Sequence, residues 1–256
     1  MPSDNECPDL FPITDQYGNR KWVLMGARNR YIVGEFKKGG FVPCQAIQTL
    51  HYGKAAYAGQ TFSNLPDGRV VRIDWDRWHL NTPRISGQMG FPNELALEEI
   101  DGLHYLSARP IPEIALLYDR STIHQDLTLN ANEKKRFELE SAPYFIKIST
   151  TGLNHTSLKL TVFGRGLECN FSENAVKLGD QCAPLTICSD KLELTMIVDK
   201  CSIEIYLDGG KIYFSTVAPC TVCDYNLPYL ELETDEQLTI EALELHSLKS
   251  IWRDAK

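Results

Sequence analysis

The chain has 256 residues, 43% hydrophobic and 23% charged, enough to bury a core in one large domain or two small ones and unlike disordered or collagen-like sequences. Its 34 Asp and Glu outnumber 26 Lys and Arg, a net charge of −8, and no segment gathers basic residues into a nucleic-acid footprint, so we expect a neutral or sugar-like partner and no nucleic acid. No apolar run approaches the roughly 20 residues of a membrane span, and the start Met1-Pro2-Ser3-Asp4 carries neither a basic stretch nor an apolar run, from which we expect no membrane partner and a cytoplasmic location.

Apolar alternation of period two recurs along the chain and predicts an all-β protein. The opening Asn5-Glu6-Cys7-Pro8-Asp9-Leu10-Phe11 places a carboxyl between a proline that favours an extended Cys7 and two apolar residues that can enclose the segment. Burial keeps a carboxyl protonated, as a general acid requires near neutral pH, although a Glu near a terminus is more often an ordinary solvated residue. Short strands follow at Lys21 to Met25, Arg30 to Phe36, Ala56 to Phe62 and Arg69 to Trp75, with frequent Gly and Pro between them, a texture that suits propeller sheet. Two aromatic-rich stretches lie among them, Tyr57-Ala58-Gly59-Gln60-Thr61-Phe62 and Ile73-Asp74-Trp75-Asp76-Arg77-Trp78-His79. Rings that cover the apolar face of a sugar beside amides and carboxylates that bind its hydroxyls suit carbohydrate, yet spacing alone favours core positions for these aromatics.

Arg109-Pro110-Ile111-Pro112-Glu113 reads as a connector, because alternating prolines do not fit a central strand, and we place a domain boundary near residue 118, giving domains 1–118 and 119–256. A helical turn or two is predicted around Asn130 to Arg136, with Asn130 as cap. Strands are expected at Phe137 to Glu140, Tyr144 to Ser149, Ser157 to Phe163, Leu192 to Val198, Ser202 to Leu207 and Thr239 to Leu245, at the spacing of a sandwich, with the last two before Asp208 half-buried. Asp208-Gly209-Gly210 joins Ser202 to Leu207 to Lys211-Ile212-Tyr213-Phe214-Ser215 as a hairpin.

The eight cysteines are expected to be mostly reduced thiols, and Cys220-Thr221-Val222-Cys223 lacks the second ligand pair that structural zinc normally uses. His51, His79 and His104 show no paired-ligand spacing, so neither metal nor cofactor is expected. The sequons at Asn154 and Asn170 are expected to stay bare.

Five motifs in order give the chain a resemblance. Glu6-Cys7-Pro8-Asp9-Leu10-Phe11 resembles the ECPDLF motif of glycoside hydrolase family 32, the invertases, levanases, inulinases and sucrose-6-phosphate hydrolases. Tyr52-Gly53-Lys54 with Tyr57 to Phe62, then Ile73-Asp74-Trp75, then Gln88 to Leu95, and finally Ile197 to Gly210 are similar to that family's DYG and YAAQTF segments, its Gly-Trp strand, its MTIPREL and its VDRSSVEVFVNDG hairpin. The resemblance implies a partial five-bladed β-propeller, about two blades, followed by an antiparallel β-sandwich. It implies hydrolysis of terminal β-D-fructofuranosyl bonds with Glu6 as acid/base, Cys7 helping to set its environment, and Cys7, Tyr57, Gln60 and Trp75 at a pocket for a fructose-containing saccharide, without a cofactor. Three positions depart from the family pattern: Gly59 stands for Ala, Asp74 for Gly and Asn93 for Arg.

In the family a second carboxylate, the Asp of an Asn-Asp-Pro-Asn segment, attacks the anomeric carbon, and an Arg-Asp-Pro segment binds fructose hydroxyls. None of the 13 prolines here follows an Asp. From this we expect the chain alone to be inactive and to associate with a further propeller portion or with a second copy. The alternative is a non-catalytic fructan-binding or assembly module of the same descent.

Overall fold

A computed structural model describes residues 6–77, 87–140, 143–153, 156–185, 191–217, 224 and 226–251. The chain divides into two units, Met1–Ile111 with Gly209–Thr216, and Pro112–Asp208 with Val217–Lys256.

The first unit is built from two antiparallel sheets whose strands follow the chain. In one, β1 (Asp9–Thr14), β2 (Arg20–Met25), β3 (Arg30–Lys37) and β4 (Gly40–Pro43) lie in sequential order, with the short β5 (Gln48–Thr49) beside β3. In the other, β6 (Ala56–Thr61), β7 (Val70–Asp76), β9 (Asn93–Ile100) and β10 (Leu103–Pro110) succeed one another, and β8 (Gln88–Met89) pairs with β7. Each has a path of four strands, as a propeller blade does, and one short strand beside it. Alternation decides which side chains go inward: in β1, Phe11 and Ile13 are buried while Leu10 is 44% exposed. They join Val23, Met25, Tyr31, Val33 and Leu50 of the first blade and Leu95, Leu97, Leu106 and Ala108 of the second in one core. Each large apolar side chain so buried contributes roughly 1.5–3 kcal/mol.

The second unit begins with a 3-10 helix, Pro112–Leu117, directly after Pro110 closes an edge strand. Its strands are β11 (Tyr118–Leu129), β12 (Lys134–Glu138), β13 (Tyr144–Thr151), β14 (Ser157–Val162), β15 (Arg165–Asn170), β16 (Ala175–Leu178), β17 (Gln181–Pro184), β18 (Lys191–Val198), β19 (Ser202–Leu207), β21 (Tyr229–Thr234) and β22 (Leu238–Leu248), with β20 (Ile212–Val217) between β19 and β21 in the chain. One sheet runs β12-β21-β14-β15-β16-β17 and the other includes β11-β22-β13-β18-β19, all antiparallel. Leu158, Leu160, Leu167 and Val176 of one sheet and Ile146, Leu194, Met196 and Leu243 of the other are buried, the inward-facing pattern of a sandwich. The all-β fold predicted from alternation is therefore present. The hairpin forms as well, its turn a short 3-10 segment with φ of 48° at Asp208, 63° at Gly209 and 94° at Gly210.

Three expectations are corrected. No helix forms at Asn130 to Arg136: Asn132 has a φ of 60°, which a right-handed helix excludes, and the Asn130 amide and side chain both donate to Glu133 Oε2, closing a turn from which Lys134 enters a strand paired with β21. Strand β19 is buried on both faces instead of one, including Glu204, to which the Tyr206 hydroxyl donates at 2.6 Å. Cys7 is not extended but has a φ of 45°, since its neighbours are fixed from outside by the contacts described below.

Among the described residues Cys7, Cys44, Cys169, Cys182 and Cys201 are free thiols. The Cys220–Cys223 pair, Trp78, His79 and the Asn154 sequon lie outside the described residues. No helix among the described residues is long and apolar enough to cross a membrane.

Candidate active site

Two segments far apart in sequence interlock at the edge of the first unit. The Ala27 amide donates to the Glu6 carbonyl at 3.1 Å, and the Ala27 carbonyl accepts from the Ala58 amide at 2.8 Å, so one loop residue brackets both segments. Strand β6 then grips the Glu6–Asp9 segment side chain by side chain. The Tyr57 hydroxyl donates to Glu6 Oε2, Gln60 Nε2 donates to the Cys7 carbonyl at 3.3 Å, and the Thr61 amide and hydroxyl donate to the two oxygens of Asp9 at 2.8 and 3.2 Å. These anchors outweigh the local preference for an extended residue before Pro8.

Glu6 and Cys7 are exposed, which corrects the expectation that Leu10 and Phe11 enclose the carboxyl: Leu10 faces solvent and Phe11 is drawn into the core of the blades. The donated hydrogen bond holds the Tyr57 phenol above its usual range, because ionising it would set two anions together, while the cations of Arg77 and Arg28 oppose the shift.

Across the β6–β7 ladder Tyr57 is paired with Trp75, ring to ring edge-on with centroids 6.4 Å apart. Trp75 is 41% exposed and its next neighbour in register, Met89, is 57% exposed. The Arg77 guanidinium lies 3.5 Å over the Tyr57 ring. Glu6, Cys7, Tyr57, Gln60 and Trp75 are thus all brought together. Arg77 and Met89 extend the group beyond the sequence prediction; Arg77 was legible in principle, standing two residues from Trp75 just past the end of β7.

The shelf rests on a bulge. Tyr57 opposes Trp75 and Gln60 opposes Ile73, so Ala58 and Gly59 together face the single residue Asp74. Ala58 takes a φ of 49°, and a Cβ on Gly59 would lie 2.0 Å from Arg72 Nη2. Beneath it Arg72 and Asp74 form a buried pair, with Nη1 to Oδ2 and Nη2 to Oδ1 both at 2.8 Å, and Arg72 also donates to the Asn29 side-chain oxygen. Burial pushes the Asp74 carboxyl upward and the guanidinium pulls it back.

Behind the shelf, the buried Ser215 hydroxyl donates to Asp76 Oδ1 at 2.9 Å and accepts from the Ala56 amide at 3.0 Å, while the Ser215 amide donates to His51 Nε2 at 2.8 Å. A Cβ on Gly53 would meet the Ser215 backbone at 2.4 Å, which accounts for the glycine of the Tyr52-Gly53-Lys54 segment. Serine, histidine and aspartate here form a structural knot, since all three are buried and the aspartate engages the serine. Residues 139 and 164 positions apart gave the sequence no signal of it.

Two family models match the chain: the glycosyl hydrolases family 32 N-terminal domain over residues 3–110 and the glycosyl hydrolases family 32 C-terminal over residues 149–218. The chain belongs to glycosyl hydrolase family 32. Levanases are among the relatives of this family 32 chain. One from Bacillus sp. (strain L7) is 25% identical, over 97% of this chain and 32% of its own length, and one from Bacillus subtilis (strain 168) is 24% identical, over 96% and 43%. The chain therefore spans a third to a half of the length of these relatives. In fold it is similar to the exo-inulinase from Aspergillus awamori, with a TM-score of 0.80 at 16% identity over 96% of this chain and 57% of that one. Fructan 1-exohydrolase IIa from Cichorium intybus follows at 0.76, with 17% identity over 96% and 62%.

Proposed function

We propose that this chain carries the acid/base half of a β-fructosidase site acting on terminal β-D-fructofuranosyl bonds, and that these 256 residues alone bind a fructan without hydrolysing it. The observation that carries the reading is the hydrogen bond from Tyr57 to Glu6 at the end of the Trp75 shelf. It fixes one oxygen of the carboxyl and leaves Oε1 to hold the proton that a leaving glycosidic oxygen needs. Trp75 offers a face for a sugar ring, Arg77 offers donors for its hydroxyls, and Gln60, whose amide hydrogens go to the Cys7 and Gly59 carbonyls, offers its oxygen as an acceptor.

Hydrolysis with retention needs a second carboxyl about 5 to 5.5 Å from the first. Asp9 is held by Thr61 and Asp74 by Arg72, so neither is available as a nucleophile beside Glu6. Without that group the rate falls by orders of magnitude.

The test is calorimetry with a short fructan beside a hydrolysis assay on sucrose, inulin and levan. Saturable binding lost in Trp75→Ala, with no turnover above background, supports the reading. Turnover that disappears in Glu6→Gln shows that a second carboxyl is present after all, and absence of binding removes the shelf from the argument.

A further inference from the structure

Away from Glu6, three side chains that the proposed function does not use meet in the first unit. Asp15, Glu99 and His104 bring one ligand atom each to within 4.8 Å of one another. Asp15 follows β1 in the first blade, while Glu99 and His104 are cross-strand partners at the tip of the β9–β10 hairpin in the second. The place is built. Asp15 makes a parallel bridge to Leu97, and Gln16 clamps the turn onto Glu99, its Nε2 donating to the Glu99 carbonyl and its Oε1 accepting from the Glu99 amide, both at 2.8 Å. Asp15 itself is fixed by the amides of Tyr17 and Asn19 at 2.9 and 2.8 Å and by the Asn19 side chain at 3.1 Å.

His104 points to a ligand. It is 6% exposed, and neither ring nitrogen has a hydrogen-bond partner. Buried polar nitrogens left in this way are uncommon and costly. Its Nε2 is 3.5 Å from Glu99 Oε2, and ligand atoms around a tetrahedral zinc ion, each about 2.1 Å from it, stand about 3.4 Å apart. Two carboxylates and one imidazole supply a charge of −2 and a nitrogen, a set that suits a first-row cation such as Zn2+ in preference to Mg2+ or Ca2+, which favour oxygen alone. Glu99 is partly exposed, which leaves an entry path and room for water as a fourth ligand.

We propose that Asp15, Glu99 and His104 bind a divalent zinc-type cation that clips the end of β1 to the β9–β10 hairpin. The sequence gives no motif for it because its ligands come from two blades and only Glu99 and His104 are near one another.

The test is titration of the metal-free full chain with ZnCl2, followed by calorimetry and by the melting temperature. The expected result is one ion per chain, a Tm raised by several degrees and reversed by chelator, and an affinity at least about tenfold weaker in Glu99→Gln, in line with the loss on disturbing metal-site residues. Glu99→Gln keeps volume at a partly exposed site, so its fold is checked by circular dichroism, and His104→Ala serves as the second variant. Substitution with Co2+ distinguishes this site from cysteine capture: absorption free of thiolate charge transfer is expected. The proposal is overturned by the absence of saturable binding, by unchanged affinity in both variants, by a thiolate band, or by equal stabilisation with Ca2+.

Discussion

Gly59 and Asp74 face each other across the β6–β7 bulge so closely that a Cβ on the glycine would stand 2.4 Å from Asp74 Oδ1. Both are departures from the family pattern, and so is Asn93, the cross-strand partner of Arg72 in β9. Gly59 and Asp74 both meet the buried Arg72 guanidinium, and Asn93 is the register partner of the same arginine. The structure thus relates the three positions through one arginine on β7: an aspartate pairs with it, a glycine clears it, and Asn93 lies across the ladder from it with Nδ2 donating to the Phe91 carbonyl at 3.0 Å.

Gly59→Ala is expected to destabilise the first unit by about 1–3 kcal/mol, the cost of overpacking against a fixed pair. Asp74→Asn, which leaves the guanidinium buried without its counter-charge, is expected to cost more, about 3–5 kcal/mol. The double variant should depart from additivity by at least about 0.5 kcal/mol, because the added methyl meets the same carboxylate. Urea unfolding followed by tryptophan fluorescence checks this, since Trp22 and Trp75 lie on strands of the first unit.

Acid should weaken the first unit through His51. Burial lowers the pKa of this ring from 6.5 to about 3, with Arg72 adding to the effect. The folded state therefore keeps the ring neutral where the unfolded chain binds a proton. Stability from this group is complete above pH about 6.5 and is lost progressively as pH falls toward 3, by about 1.4 kcal/mol per pH unit. Unfolding midpoints measured across that window should show the slope, and His51→Gln should reduce it by about one proton while lowering stability at neutral pH.

Much of the architecture was legible because alternation is a direct imprint of the pleat. Strands such as β2, β7, β14 and β18 fall within a residue or two of their expected bounds. Failures arose where tertiary contacts overrode local preference. Asn130 and Glu133 contain capping chemistry but close a turn, because Asn132 is drawn to the Thr234 carbonyl at 2.7 Å. Cys7 bends because the Glu6 and Cys7 carbonyls are held from Ala27 and Gln60. The site residues came from the resemblance, and alternation added nothing to them: spacing alone made Tyr57 and Trp75 core positions, whereas the structure leaves Trp75 at the surface. His51 and Ser215 meet across 164 residues, and Arg72 reaches Asn29 across 43, so these contacts left no local pattern.

Removing the Glu6 carboxylate should be visible in the tyrosine that binds it. Donation to Glu6 holds the Tyr57 phenol above its ordinary value, so in Glu6→Gln the ionisation of Tyr57 should fall toward about 10, with Arg77 still favouring the phenolate. Titration of tyrosine-labelled protein by NMR, with Tyr57→Phe to assign the resonance, checks the shift. An unchanged titration would mean that the hydrogen bond does not form in solution.

The shelf itself can be tested without turnover. Trp75 exposes an indole that abuts Gly87, where a Cβ would lie 2.3 Å from the indole nitrogen, and meets the Tyr57 ring edge-on. A rigid exposed aromatic loses little entropy on binding, and its truncation costs more than that of a flexible side chain. Trp75→Ala is accordingly expected to weaken binding of a short fructan by about tenfold, which corresponds to ~1.4 kcal/mol. Arg77→Met removes only the cation over Tyr57 and any hydroxyl contact it makes, worth about 0.5–1 kcal/mol at an exposed ring, and should cost about two- to fivefold. Glu6→Gln, which keeps an acceptor for Tyr57, should leave affinity within about twofold, because a proton donor matters to bond cleavage and not to ground-state binding. Calorimetry on the three variants orders them; equal affinity in Trp75→Ala and the parent chain would place the sugar elsewhere.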